Sequence, residues 1–260
     1  MYKLIDTHAH IYSESFNEDF DAMLSRAKDQ SIEAIFMPNI DLSSITPMVD
    51  IHKAHPMCLP MIGLHPCHVK ENYIDELKGI EKSLGDNMSV YYGIGETGID
   101  YYWDRSFDEE QGKAFEAQIE ISKSVHKPII IHSRDSLDTT ISYIRKHQDG
   151  NLKGIFHCFN GTKEQGLEII DLGFYLGIGG VLTYKNAGVD KQIEGLPLSA
   201  MVLETDAPYL SPIPYRGKRN ESSYLIHIAE KLSHVMQTTI TEVADITTKN
   251  AKSIFDYYPE

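Results

Sequence analysis

What this 260-residue chain is short of narrows its function before any motif is read. It has only three cysteines, Cys58, Cys67 and Cys158. They are odd in number and lack CxxC spacing, which argues against a disulfide framework and for a reducing compartment. No apolar run approaches the ~18 residues that span a bilayer. Asp6, His8 and His10 stand where a secretory leader would carry its apolar core. A cytoplasmic protein without a leader is therefore expected. Positive charge is scarce: 24 Lys+Arg stand against 38 Asp+Glu, a net charge of −14. That argues against a general nucleic-acid binder with a basic face. It leaves open an enzyme that grips phosphate through metal ions and a few basic side chains. Low-complexity segments and internal repeats are also missing.

What is present is alternation. Apolar residues make up 42% of the chain, enough for a sizeable core. Short β-branched runs near 2–6, 32–38, 58–63, 90–95, 128–132, 154–157, 174–178 and 201–205 are separated by stretches of helical periodicity. Between Asn17 and Gln30, for example, Phe20, Met23, Leu24 and Ala27 share one face. Phe107 to Val125, Asp135 to His147 and Thr162 to Leu172 read the same way. Eight strands alternating with helices predict an α/β fold with a parallel sheet. Eight is also the number that closes a barrel, and the length suits one barrel domain over 1–260. A (β/α)8 TIM barrel is the expectation, with an open doubly wound sheet as runner-up. The open sheet would carry a Gly-rich phosphate loop after strand one, and Asp6-Thr-His8-Ala-His10 stands there instead. Of two terminal helices, 222–236 is expected to complete the barrel. An extra C-terminal helix, 241–255, is expected to pack outside it.

In such a barrel the active site is built at the C-terminal ends of the strands. His8 and His10 point the same way from strand one, since alternate side chains of a strand share a face. Glu96 follows strand four, His132 strand five, His157 strand six and Asp206 strand eight. Each has a plain structural reading taken alone: a polar cap, a solvated loop acid, the start of a turn. Six such accidents at one end of five strands are improbable together. Four imidazoles and two carboxylates suit two divalent ions ~3.5–4 Å apart.

This arrangement resembles the metal-dependent amidohydrolase superfamily. The wording of the motifs is closer still to the TatD family of metal-dependent deoxyribonucleases: Asp6-Thr-His-Ala-His10, Gly63-Leu-His-Pro66, Gly95-Glu-Thr-Gly-Ile-Asp-Tyr101, His132-Ser-Arg134, Phe156-His-Cys-Phe-Asn-Gly161 and Leu203-Glu-Thr-Asp-Ala-Pro-Tyr-Leu210. The match spans nearly the whole chain. One departure is that Ser222 and Ser223 follow Glu221 where the family usually has Pro. The resemblance implies that His8, His10, Glu96, His132, His157 and Asp206 are metal ligands, with Glu96 bridging two ions. It implies hydrolysis of DNA phosphodiesters, as a 3′-to-5′ exonuclease on single-stranded ends. Magnesium or manganese would be in use, and zinc also able to occupy the site. Glu96 and Asp206 are the expected catalytic carboxylates, Asp206 as general base.

Secondary candidates surround this set. Glu204 would point into the barrel beneath the site and orient a ligand histidine. His65, Arg134 and Asn160 are candidate substrate contacts, each also readable as a turn residue or a brace. Arg216, Lys218 and Arg219 form the one dense basic cluster, read as phosphate steering against the alternative of a solvated turn. The aromatics of Tyr101-Tyr-Trp103 offer faces to a base, or pack on one another. His52, His55, His68, His126, His147, His227 and His234 are background. No membrane contact and no stable protein partner are expected. Two other functions fit the same residues. One is hydrolysis of an amide or ester, aminoacyl-tRNA esters included. The other is a non-catalytic metal-containing scaffold, which would have no need of all six ligands.

Overall fold

The eight apolar runs become eight parallel strands in a computed structural model that describes residues 2–259. They are β1 (Leu4–Asp6), β2 (Ile32–Pro38), β3 (Cys58–Met61), β4 (Ile94–Asp100), β5 (Ile129–Arg134), β6 (Gly154–Phe156), β7 (Tyr175–Ile178) and β8 (Met201–Leu203). Strands β1 to β3 pair in order, as do β4 to β8. Two parallel bridges join the ladders, Ile62 with Ile94 and Ala9 with Ala207. At the first, the backbones come unusually close: a Cβ on Gly63 would lie 2.6 Å from the Gly95 Cα, so a side chain there is excluded. At the second, Asp6 staples β1 to β8. Its Oδ1 accepts the Thr205 N–H (2.9 Å) and its Oδ2 the Thr205 hydroxyl (2.7 Å). The expected (β/α)8 barrel is the fold.

Helices α1 (Phe20–Asp29), α2 (Leu42–Ala54), α3 (Tyr73–Asp86), α4 (Asp108–Val125), α5 (Leu137–His147), α6 (Lys163–Asp171), α7 (Val189–Ile193) and α8 (Leu225–Val235) lie between and after the strands. Amphipathic periodicity decides which face each buries. Met23, Leu24 and Ala27 of α1 are buried, as are Leu77, Ile80 and Leu84 of α3.

One boundary and one packing role differ from the sequence expectation. Strand β4 does not stop before Glu96; it starts at Ile94 and runs through Glu96 to Asp100. The glycines of Gly93-Ile-Gly-Glu-Thr-Gly98 read as a strand end, yet pairing with β5 continues across an irregularity between Ile94 and Thr97. The last helix, α9 (Ile240–Phe255), also does more than pack outside the barrel. One face of six strands, including Ile5, Phe36, Ile130, Ile155 and Val202, forms an interior apolar layer with Ala251, Ile254 and Phe255 of α9. Phe255 stacks on Phe36 with ring centroids 3.8 Å apart. The end of α9 is thus a stopper in the N-terminal mouth of the barrel.

Glu221, nearly fully buried ahead of α8, takes a two-pronged contact from Arg26 of α1: Nε to Oε1 at 2.7 Å and Nη2 to Oε2 at 2.6 Å. Burial opposes its charge, but Arg26, Ser223 and Arg219 hold its carboxyl below the usual range. A group depressed in this way stabilises the fold above its unfolded pKa of about 4.3. That contribution is lost as pH falls through the folded value. Glu221→Gln is expected to cost about 1–2 kcal/mol at pH 7, the arginines being partly exposed, or about 3–6 °C in Tm. Thermal melts of both proteins from pH 7 to pH 3 check it. The gap should close at the acid end.

Candidate metal centre

The interior layer explains the site directly above it. Side chains two apart on a strand share a face. Ile130, Ile155 and Val202 face the barrel interior. His132, His157 and Glu204 follow each by two and stand one layer higher, at the open end. His8 and His10 come in from the segment after β1, and Glu96 from within β4.

Glu96 is the hub. It is only 2% exposed, and its two oxygens face different groups. Oε2 lies 3.0 Å from His8 Nε2 and 3.3 Å from His10 Nε2. Oε1 lies 2.8 Å from His132 Nδ1 and 3.4 Å from both His157 Nε2 and His65 Nε2. Asp206 closes the first group, its Oδ1 being 3.7 Å from His8 Nε2 and 3.6 Å from His10 Nε2. Among the described residues three groups have donor atoms close enough to share one ion: His8 with His10 and Asp206, His8 with His157 and Glu204, and, separately, His65 with Glu96 and His132.

The donor set calls for positive charge at its centre. Burial would raise Glu96, but His8, His65, His157 and a hydrogen bond from His10 hold it well below the usual carboxylate range. Burial likewise opposes ionisation of Asp206, and His10, His157 and His8 overcome it. His157 is pushed up to about 9: burial disfavours its proton, and Glu204 and Glu96 outweigh that. His10 is raised well above ordinary imidazole against burial, through Tyr12, Asp206 and Glu96. Two ionised carboxylates ringed by imidazole nitrogens form a donor set that fits divalent cations. His8 Nδ1 is buried without a hydrogen-bond partner, one sign of a ring held for what its Nε2 faces.

The far nitrogen of three of these rings is fixed from behind, as is usual for ligand histidines. Glu204 Oε1 sits 3.0 Å from His157 Nδ1 and also accepts the Cys158 N–H at 2.6 Å. His10 Nδ1 lies 3.1 Å from the Pro38 carbonyl and 2.9 Å from the Tyr12 hydroxyl. His132 Nε2 lies 2.9 Å from Asp100 Oδ2. His65 differs. Its Nδ1 accepts the Cys67 N–H at 3.0 Å, so in the neutral ring the proton sits on Nε2, facing Glu96. Burial pushes His65 down to about 4, which keeps it neutral. It is built as a hydrogen-bond donor, not as a lone-pair ligand.

Glu204 fits against a strand position that carries no side chain. A Cβ on Gly177 would lie 2.3 Å from its Oε2. Glu204→Gln is expected to keep the fold and lower activity about 10–100-fold, because the amide oxygen can still accept the His157 Nδ1 proton but the negative charge that makes this ring more basic is gone. Gly177→Ala should reproduce the loss by displacing the carboxylate. Steady-state rates and melts of both variants check this; full activity in both would remove Glu204 from the site.

A cavity of about 930 Å³ opens over the centre. His10, His65, Glu96, His132, His157 and Asp206 reach it, together with Arg134, Arg216 and Lys218. Two sequence candidates are placed elsewhere. Asn160 lines a separate cavity of about 380 Å³ beside Ser133 and Gln165. Arg219 is held by Asp19, Nη1 to Oδ1 at 2.5 Å and Nη2 to Oδ2 at 2.9 Å, and lies over the Phe16 ring. It braces the start of α1 and does not line the cavity over Glu96. The sequence assigns no role to Asp100 or Tyr12 and counts His68 as background. His68 stands on the cavity wall with its Nδ1 2.9 Å from Asp41 Oδ2. A signal existed for two of them: Tyr12 repeats the two-residue spacing of His8 and His10, and His68 lies three residues after His65.

Residues 5–256 match the family described as TatD related DNase. A metal-dependent hydrolase of Bacillus subtilis, YabD, is 37% identical over 97% of this chain and 98% of its own length. The 3'-5' ssDNA/RNA exonuclease TatD of Salmonella typhimurium is 27% identical over 97% and 99%. The crystal structure of the TatD homolog YjjV from Escherichia coli superposes with a TM-score of 0.93 at 25% identity, covering 98% of both chains.

Proposed function

The chain belongs to the TatD family of metal-dependent hydrolases, and on that premise we propose that it hydrolyses DNA phosphodiester bonds, as an exonuclease working from the 3′ end of a single strand. One observation carries the reading: a buried carboxylate, Glu96, presents one oxygen to His8 and His10 and the other to His132 and His157. His8, His10, Asp206 and Glu96 Oε2 would hold one divalent ion. Glu96 Oε1, His132 Nδ1 and His157 Nε2 would hold a second. Magnesium or manganese is proposed in use, and zinc suits the same donors. When bound, such ions supply positive charge against phosphate oxygens and acidify a water.

The chain's own groups do the rest. Glu204, Asp100 and the Pro38 carbonyl with Tyr12 fix the rings of His157, His132 and His10, so that the other nitrogen of each faces the centre. His65 Nε2–H is a donor beside Glu96 Oε1. The Asp206 carboxylate, at the cavity floor and ionised, accepts the proton of the attacking water. Arg134, Arg216 and Lys218 meet the phosphates that enter the cavity; among the described residues none of the three has a carboxylate partner within ion-pair range. Cations left unpaired in a strongly acidic chain favour a phosphodiester over a carboxyl ester or amide. Matched assays test the reading. A 3′-labelled single strand should be cleaved far faster than aminoacyl-tRNA or simple ester and amide substrates at equal concentration. Preference for the ester would overturn it. Among the described residues no helix is long and apolar enough to cross a membrane.

A further inference from the structure

Arginine usage splits in two. Of six arginines, Arg26, Arg105, Arg145 and Arg219 are paired with carboxylates. Arg134 and Arg216 have no such partner among the described residues, although the chain carries 38 acids. Both line the cavity over Glu96, and both lie on aromatic faces instead. The Arg134 guanidinium is 3.7 Å from the Tyr102 ring centroid and 5.4 Å from that of Trp103; Arg216 is 4.4 Å from Tyr184.

The Arg134 group is the more exposed of the two. Trp103, 66% exposed, lines the cavity over the candidate metal centre, and Tyr102, next to it in the chain, is 52% exposed. Large aromatics left in water at a cavity rim are faces available to a ligand. The segment that presents them is anchored. Asp100 Oδ1 accepts the Tyr102 N–H at 2.9 Å and the Trp103 N–H at 3.1 Å, while Oδ2 reaches His132. One carboxylate therefore sets both the metal-facing ring of His132 and the aromatic rim. Tyr101, by contrast, is half-buried and packs under Arg105.

We propose that Trp103, backed by Tyr102 and Arg134, is a stacking platform for a nucleobase beside the scissile phosphate. An indole face accepts any base, and a guanidinium next to it supplies charge to the neighbouring phosphate. A base inside a duplex already has both faces covered, so the platform selects strands with an unpaired, unstacked base. The proposal rests on the phosphodiesterase reading of the metal centre and deepens it.

Trp103 is the chain's one tryptophan, so emission excited at the red edge, where the 15 tyrosines do not absorb, reports this position alone. Metal-free protein in EDTA is titrated with a single-stranded hexanucleotide and with a wholly abasic strand of the same length. The base-bearing strand should quench the emission saturably, and the abasic strand should bind about 10–100-fold more weakly. In metal-loaded cleavage assays, Trp103→Ala should raise KM by a similar factor with a much smaller change in kcat. Trp103→Phe should recover most of it. The side chain is too exposed for the change to threaten folding. Equal binding of the two strands, or unchanged emission at strand concentrations that saturate cleavage, overturns the platform and leaves the phosphodiesterase reading intact. Quenching without any cleavage supports the platform while overturning the reading beneath it.

Discussion

Glu96→Gln is expected to lower the rate of the proposed single-strand cleavage by about three orders of magnitude or more, with the barrel still folded. The amide has the same shape but no charge, and it offers an NH2 donor where an acceptor stood. Glu96 has five imidazole nitrogens within 3.4 Å of its oxygens, so the change acts on both halves of the centre at once. Bound metal should fall with activity, because each half loses the same shared charge. Stability should fall little, since the apolar layer below Glu96 and the stopper of α9 are untouched. Rate, metal content and melting temperature measured on one preparation distinguish this from a structural acid, whose loss would lower Tm and leave the metal in place.

Asp206→Asn is expected to lose activity by a comparable factor, about a thousandfold, with a different signature. Asp206 holds a left-handed backbone conformation, φ 59°, which Asn tolerates as well as Asp. Its N–H bond to the His8 carbonyl, 2.9 Å, is independent of the side chain. The fold and the closure of β1 on β8 should persist. His8, His10 and Glu96 also remain, so metal content should drop less than in Glu96→Gln. The loss should appear in kcat, since a neutral amide can no longer take a proton from water. A variant with wild-type kcat would remove Asp206 from the role of base.

Much of this centre was readable from spacing because strands have a period of two. His132, His157 and Glu204 sit two residues beyond buried Ile130, Ile155 and Val202, so the apolar pattern of each strand points its polar end inward. The sequence puts Glu96 just past a strand end, whereas it lies within β4. Glycines around it look like a strand end, and only pairing with β5 shows that β4 runs past it. Arg219 was misread for a reason no local pattern can supply: its partner Asp19 is 200 residues away. A basic cluster announces charge but not whether that charge is already satisfied. Asp100 and Asp41 were invisible for the same reason, their partners His132 and His68 being set by tertiary packing. The barrel was legible from the alternation of strands and helices. The stopper role of α9 was not, because an amphipathic helix with one apolar face reads alike whether it covers the outside of a barrel or plugs its mouth.

The most direct test of the account removes and returns the metal. Protein stripped with EDTA and desalted should not cleave a 3′-labelled single-stranded oligonucleotide, and added Mg2+ or Mn2+ should restore cleavage in wild type but not in Glu96→Gln. Cleavage by the stripped protein, or full restoration in Glu96→Gln, would contradict a metal-dependent phosphodiesterase built around this carboxylate.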